Sequence, residues 1–120
     1  MAAPTEIKLH QVSQILEITF SDGKSFRLPA EFLRVYSPSA EVRGHGPGQE
    51  VLQVGKKDVR ILAVEPVGQY AIQLRFSDKH DTGIYSWDLL YDYGERQEKM
   101  WQQYLNRLRE AGGSREEVKK

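Results

Sequence analysis

The residues Ile15-Leu16-Glu17-Ile18-Thr19-Phe20 alternate between two faces, pause at Asp22-Gly23, and resume the alternation at Ser25-Phe26-Arg27-Leu28. Successive side chains of a strand point to opposite faces, and an Asp-Gly pair readily takes the positive φ that a tight hairpin turn requires. A β-hairpin is therefore predicted over 15–28, with Leu16, Ile18 and Phe20 on a different face from Ile15, Glu17 and Thr19. Ile7-Lys8-Leu9 starts a similar pattern and predicts a short strand ahead of it. A second hairpin is predicted from Val59–Pro66 and Tyr70–Phe76, joined through Val67-Gly68-Gln69. In its second strand Tyr70, Ile72, Leu74 and Phe76 share one face, as a sheet covered on one side demands.

Helical signals lie between and after these hairpins. Pro29 suits a first helical position, because its missing N–H would have no intrahelical partner, and Phe32, Leu33 and Tyr36 supply a buried stripe. Ser37-Pro38 ends that helix, since a residue before proline is driven away from helical angles. Residues 39–57 read as irregular, with Gly44-His45-Gly46-Pro47-Gly48 as a mobile loop. Ser86 is an N-cap for a helix starting at Trp87, Gly94 is expected to break it, and a last helix is expected from Glu95 to Ala111. Trp101, Tyr104, Leu105 and Leu108 form its apolar stripe, and Gly112-Gly113 stops it. The fold class expected is α+β: a small antiparallel sheet of two hairpins, a short helix after the first, and a C-terminal amphipathic helix. The 120 residues suit one domain, read as 5–111 between a flexible N-terminus (1–4) and a flexible tail (112–120).

The chemistry available is limited. With no cysteine, disulfides, thiolate metal sites and cysteine nucleophiles are excluded. His10, His45 and His80 are not spaced as ligands, no Gly-x-Ser-x-Gly elbow surrounds a serine, and the glycines at 44, 46 and 48 lack the Lys-Ser/Thr ending of a phosphate loop. Lys+Arg and Asp+Glu both number 17, so nothing in the charge balance draws the chain to nucleic acid. The aromatics Tyr85, Trp87, Tyr91, Tyr93, Trp101 and Tyr104 sit among Asp88, Asp92 and Glu95, which would repel phosphate, so core packing explains most of them. No stretch approaches the roughly 20 apolar residues of a membrane span, and the first residues do not read as a signal peptide. A cytoplasmic protein with no membrane association is expected.

Leu28-Pro29-Ala30, Phe32-Leu33-Arg34, Ser37-Pro38-Ser39-Ala40-Glu41-Val42, Gly68-x-Tyr70-Ala71 and His80-x-x-Gly83-Ile84-Tyr85-Ser86-Trp87-x-x-Leu90-Tyr91 together resemble an uncharacterised bacterial family. That family is similar to the N-terminal domain of γ-butyrobetaine hydroxylase, and the resemblance runs over about residues 5–111. It implies an α+β fold with a small antiparallel sheet. The hydroxylase's iron triad and 2-oxoglutarate site belong to a separate jelly-roll domain, and no such triad occurs here, so the resemblance does not extend to oxygenase activity. It also implies a zinc site, built in the hydroxylase from a Cys-x-Cys-x-x-Cys motif after a Leu-Arg pair, with a later histidine. The counterparts here are Ser37, Ser39, Val42 and His80, after Leu33-Arg34. Neutral hydroxyls are poor zinc ligands and valine has no donor, so these positions are expected metal-free, with Ser37, Ser39 and His80 hydrogen-bonded in the metal's place. Related domains occur fused to P-loop carriers of iron–sulfur clusters, which implies a role in cluster delivery by analogy of fold alone.

The function expected is a non-enzymatic interaction or accessory module for a protein partner, with no cofactor. Its expected surface joins Arg34 and His80, as polar contacts, to Tyr85 and Trp87, as contact area. The same residues would equally well serve only to hold the 37–42 turn against the helix start. The alternatives are a small-molecule or enzymatic role at the Arg34/His80 patch, or an accessory protein that binds an iron–sulfur carrier. A concave pocket around His80 would favour the small-molecule role, and a flat surface a protein partner.

Overall fold

The computed structural model describes residues 3–44, 46 and 48–117, so His45 and the mobile-loop expectation at that residue lie outside the described part. The order of elements is β1 (Pro4–His10), β2 (Ile15–Phe20), β3 (Ser25–Pro29), α1 (Ala30–Val35), α2 (Ala40–Arg43), β4 (Ile61–Val67), β5 (Ala71–Phe76), β6 (Ile84–Ser86) and α3 (Trp87–Ala111). This is the α+β fold expected. Each hairpin acquires a third strand, giving two antiparallel sheets ordered β1-β2-β3 and β4-β5-β6.

The first hairpin follows its alternation. Leu16 faces Leu28 and Ile18 faces Phe26, while the outer face pairs Glu17 with Arg27. The outer pair is an ion pair at 3.4 Å, and Leu16, Ile18 and Phe20 are buried. At the turn, the Lys24 amide donates to Asp22 Oδ1, and Gly23 takes φ 91°. β1 adds to the other side of β2 with Ile7 opposite Ile18 and Leu9 opposite Leu16.

In the second sheet Ile61, Ile72, Leu74 and Phe76 are buried, and the fully buried Tyr85 of β6 pairs with Ile72. Tyr70 departs from the expected face: it precedes the strand and is 75% exposed. Pro66 is tolerated because β4 is an edge strand, with an outer side that needs no donor. The two sheets share one core that also takes in Phe32, Leu33, Leu90, Tyr93 and Met100. Gln14, at φ 55°, ties them together: its carbonyl accepts from Ala30 N and its side-chain oxygen from Ile61 N.

Helix α3 differs most from expectation. Ser86 caps it, its Oγ accepting from Leu89 N at 3.1 Å, and Gly112 ends it in the left-handed conformation. Gly94 does not break it, however, and the helix runs unbroken for 25 residues. A Cβ at Gly94 would lie 2.2 Å from Cγ of Phe26, so the glycine is where the helix backbone meets the β3 side chain. The segment 39–57 is also less irregular than expected, since Ser39 caps the short helix α2. The stripe on α3 points inward: Tyr104 and Leu108 are buried with Val35, and Trp101 and Leu105 pack beside them. Among the described residues no helix is long and apolar enough to cross a membrane.

Beyond Gly112-Gly113 the chain turns back onto the domain. Gly55 N and Lys57 N donate to the carbonyls of Ser114 and Arg115. Arg115 makes two hydrogen bonds to the Glu31 carboxylate, at 2.8 and 2.6 Å, with its guanidinium over the Trp101 ring. At the other end, Ala3 N donates to Ser21 Oγ and Pro4 is already in β1.

Candidate functional site: a polar lock between two turns

The residues singled out by sequence come together where α1 ends and where the chain runs from β5 to β6. Ser37, Ser39 and Glu41 on the first segment meet His80 and Thr82 on the second, and Arg34 meets Asp78. Ser37 Oγ lies 2.8 Å from His80 Nε2 and accepts from Ser39 N at 3.2 Å. His80 Nδ1 lies 3.3 Å from Glu41 Oε2, a carboxylate oxygen that can only accept, so in the neutral ring the proton is assigned to Nδ1 and the Ser37 hydroxyl donates to Nε2. Ser39 Oγ is 2.7 Å from Thr82 Oγ1, and Arg34 Nε donates to Asp78 Oδ2 at 2.8 Å. Asp78 also accepts from Lys56 Nζ at 2.7 Å and from His80 N at 3.3 Å.

Gly83 makes this contact possible. It is buried, and a Cβ there would lie 2.5 Å from Ser37 Oγ and 3.2 Å from the Tyr85 ring. Tyr85 lies beneath, its hydroxyl donating to the Leu33 carbonyl, and burial holds its phenol far above the ordinary range.

The electrostatics match a closed interior. Burial, aided by the Arg34 charge, lowers the His80 pKa from 6.5, and Glu41 and Asp78 only partly oppose this. Burial raises the Asp78 carboxyl, but Lys56 and Arg34 outweigh it and leave its pKa below the usual value. Arg34 Nη1 is buried without a hydrogen-bond partner among the described residues.

The expected interaction surface is corrected at three of its four residues. Arg34 is 7% exposed, His80 5% and Tyr85 0%, because each fills the space between the turns and the sheet. Only Trp87 reaches the surface, half-buried, its indole N–H bonded to Gln69 O at 2.7 Å. Three clefts of about 640, 520 and 360 Å³ are lined by neither Arg34 nor His80.

The zinc-site counterparts also lie together, but their donors do not fit the metal. Ser37 and His80 bond directly to each other, Ser39 is turned to Thr82, and Val42 offers only a buried isopropyl group. Sequence reasoning did not assign roles to Glu41, Lys56, Asp78 or Thr82. Their nearness in sequence to Ser39 or His80 was the available signal for Glu41, Asp78 and Thr82. Nothing comparable marks Lys56.

The profile of the family described as gamma-butyrobetaine hydroxylase-like, N-terminal, matches residues 7–91, a stretch that contains the whole lock. The chain belongs to that family. Solved structures that resemble this gamma-butyrobetaine hydroxylase-like N-terminal domain include the following three. One solution NMR structure is 48% identical, with a TM-score of 0.85, covering 100% of this chain and 94% of its own. A second is 51% identical, with a TM-score of 0.84, covering 99% and 89%. The third is a crystal structure of a protein of unknown function from Acidithiobacillus ferrooxidans, belonging to the DUF971 family. It is 40% identical, with a TM-score of 0.61, covering 72% of this chain and 86% of its own. No curated protein matches the chain.

Proposed function

We propose that this domain is a non-enzymatic interaction module whose contact surface lies where β5 and β6 meet the start of α3. The observation that carries this reading is a contrast in exposure. Ser37 and His80, the groups best suited to chemistry, are sealed and bonded to each other, while Tyr70 is 75% exposed and Ile84 50%. Trp87 N donates to Tyr70 O, which places the half-buried indole beside that tyrosine. Ile84 lies on the edge strand β6, two residues before Ser86. An exposed tyrosine next to a half-buried tryptophan is a favoured anchor for a protein partner, because burying the rings removes much apolar area from water. Ile84 adds exposed apolar area on that edge strand. The partner is a protein, and an iron–sulfur carrier of the kind the family resemblance implies would be met through this surface, not through a thiolate ligand.

The test is affinity capture with mass spectrometry, using wild type, Tyr70→Ser/Ile84→Ser, Trp87→Ala and His80→Gln, each first checked for folding by circular dichroism. The expected result is loss of wild-type partners by the surface variants and retention by a folded His80→Gln. Equal recovery by all four, or no specific partner for the wild type, would sink the reading.

A further inference from the structure

A cleft of about 640 Å³ lies between α3 and the chain from α2 to Gln53, in the size range of small-molecule sites. Its apolar wall includes Val35, Tyr36, Leu52, Tyr93 and Met100. The second wall is held in place independently of any ligand: Val51 N donates to Val42 O at 2.7 Å, and Tyr104 OH to Gln53 O at 2.7 Å. Gly44 lets the loop close, since a Cβ there would lie 2.1 Å from Gln49 O.

Among its charged groups arginines outnumber carboxylates. The hydroxyl protons of Tyr36 and Tyr93 are committed to the carbonyls of Met100 and Tyr36, both at 2.7 Å. The charged donors in the lining are the guanidinium groups of Arg43, Arg96 and Arg107, of which Arg43 also lies close to the Tyr93 hydroxyl oxygen. Arg96 is engaged by Asp92 at 2.9 and 2.6 Å. Arg43 and Arg107 have no carboxylate within ion-pair distance among the described residues, although Glu50 also lies in the lining. Three arginines against Asp92 and Glu50 leave this cleft positive. The second cleft has the opposite sign, with Glu31, Glu95 and Glu98 against Arg115. In a chain with equal numbers of acidic and basic residues, this is a local sorting of charge.

We propose that the cleft between α3 and the α2–Gln53 segment binds a small organic anion, a carboxylate or phosphate ester on an apolar body. Arg43 and Arg107 take the anionic head, and the body lies against Tyr36, Tyr93 and Met100. Guanidinium groups bind either head through charge-assisted, often two-point hydrogen bonds, and the apolar wall selects against bare inorganic ions. The site is separate from the Tyr70–Ile84–Trp87 surface and does not depend on it.

The test is amide-shift titration of the whole chain by NMR with phenyl phosphate and benzoate, against inorganic phosphate and benzyl alcohol as controls. The expected result is saturable shifts at Leu52, Gln53, Tyr93 and Tyr104 with at least one aromatic anion, and much weaker shifts with the controls. Arg43→Gln and Arg107→Gln should each weaken binding roughly tenfold, the scale of one charge-assisted bond. Both arginines are exposed, and the spectrum itself reports whether each variant folds. Added salt should weaken wild-type binding as well. No saturable binding, equal binding of inorganic phosphate, shifts spread over other basic surfaces, or folded variants that bind unchanged would each overturn the proposal.

Discussion

His80 shows how one side chain's surroundings set its behaviour. Burial and Arg34 disfavour its charged form in the fold, so its folded pKa lies below the ordinary value of 6.5. The unfolded chain therefore binds a proton that the folded chain refuses. This makes stability complete above the unfolded pKa and steadily lower as pH falls from there through the folded pKa. The denaturant midpoint should drop between about pH 7.5 and 5.5, a window above the ordinary carboxylate range. His80→Gln should flatten that slope, and a wild-type midpoint that does not change over the window would contradict the assignment. Gly83 belongs to the same lock. Gly83→Ala would put a methyl group 2.5 Å from Ser37 Oγ and should cost about 1–3 kcal/mol in chemical unfolding.

At the level of elements, α3 decides how the sheets are covered. An exposed glycine inside a helix normally costs about 1 kcal/mol relative to alanine. At Gly94 the packing reverses that sign, because the Phe26 ring occupies the place a Cβ would take, 2.2 Å away. Gly94→Ala should destabilise the domain by about 1–3 kcal/mol instead of stabilising it. Gly94→Ala combined with Phe26→Leu should recover part of the loss, since the smaller side chain relieves the clash. A denaturant midpoint raised by Gly94→Ala alone would show that the contact is not limiting.

At the level of the whole molecule, the segment that follows α3 is tied back to α1 through Arg115 and Glu31. Glu31 is 8% exposed, and its carboxylate takes both hydrogen bonds from Arg115. Removing the arginine leaves a nearly buried carboxylate without its partner, which costs more than the pair contributes. Arg115→Gln should lower stability by about 1–3 kcal/mol. Adding Glu31→Gln should restore part of it, which a double-mutant cycle on thermal or denaturant unfolding would measure. Additive effects of the two substitutions would show the pair to be uncoupled.

The predicted hairpin over 15–28 was legible because alternation and the Asp-Gly turn are local signals, and the caps at Ser86 and Gly112 could be read for the same reason. Even the meeting of Ser37, Ser39 and His80 and their use of hydrogen bonds could be anticipated, through the family resemblance, although the further partners Glu41 and Thr82 could not. What only the tertiary structure decided depends on neighbours far apart in the chain. The same glycine signal that marks a helix break describes Gly94, and only the approach of Phe26 shows it to be a contact point. The same polar and aromatic residues that suggest a surface describe Arg34, His80 and Tyr85, and only the closing of the two turns buries them. The charge of the cleft arises in the same way, because Arg43 and Arg107 are 64 positions apart and meet across it only after α3 packs. Local spacing determines which elements form, whereas exposure and charge at a site are sums over everything that folds around it.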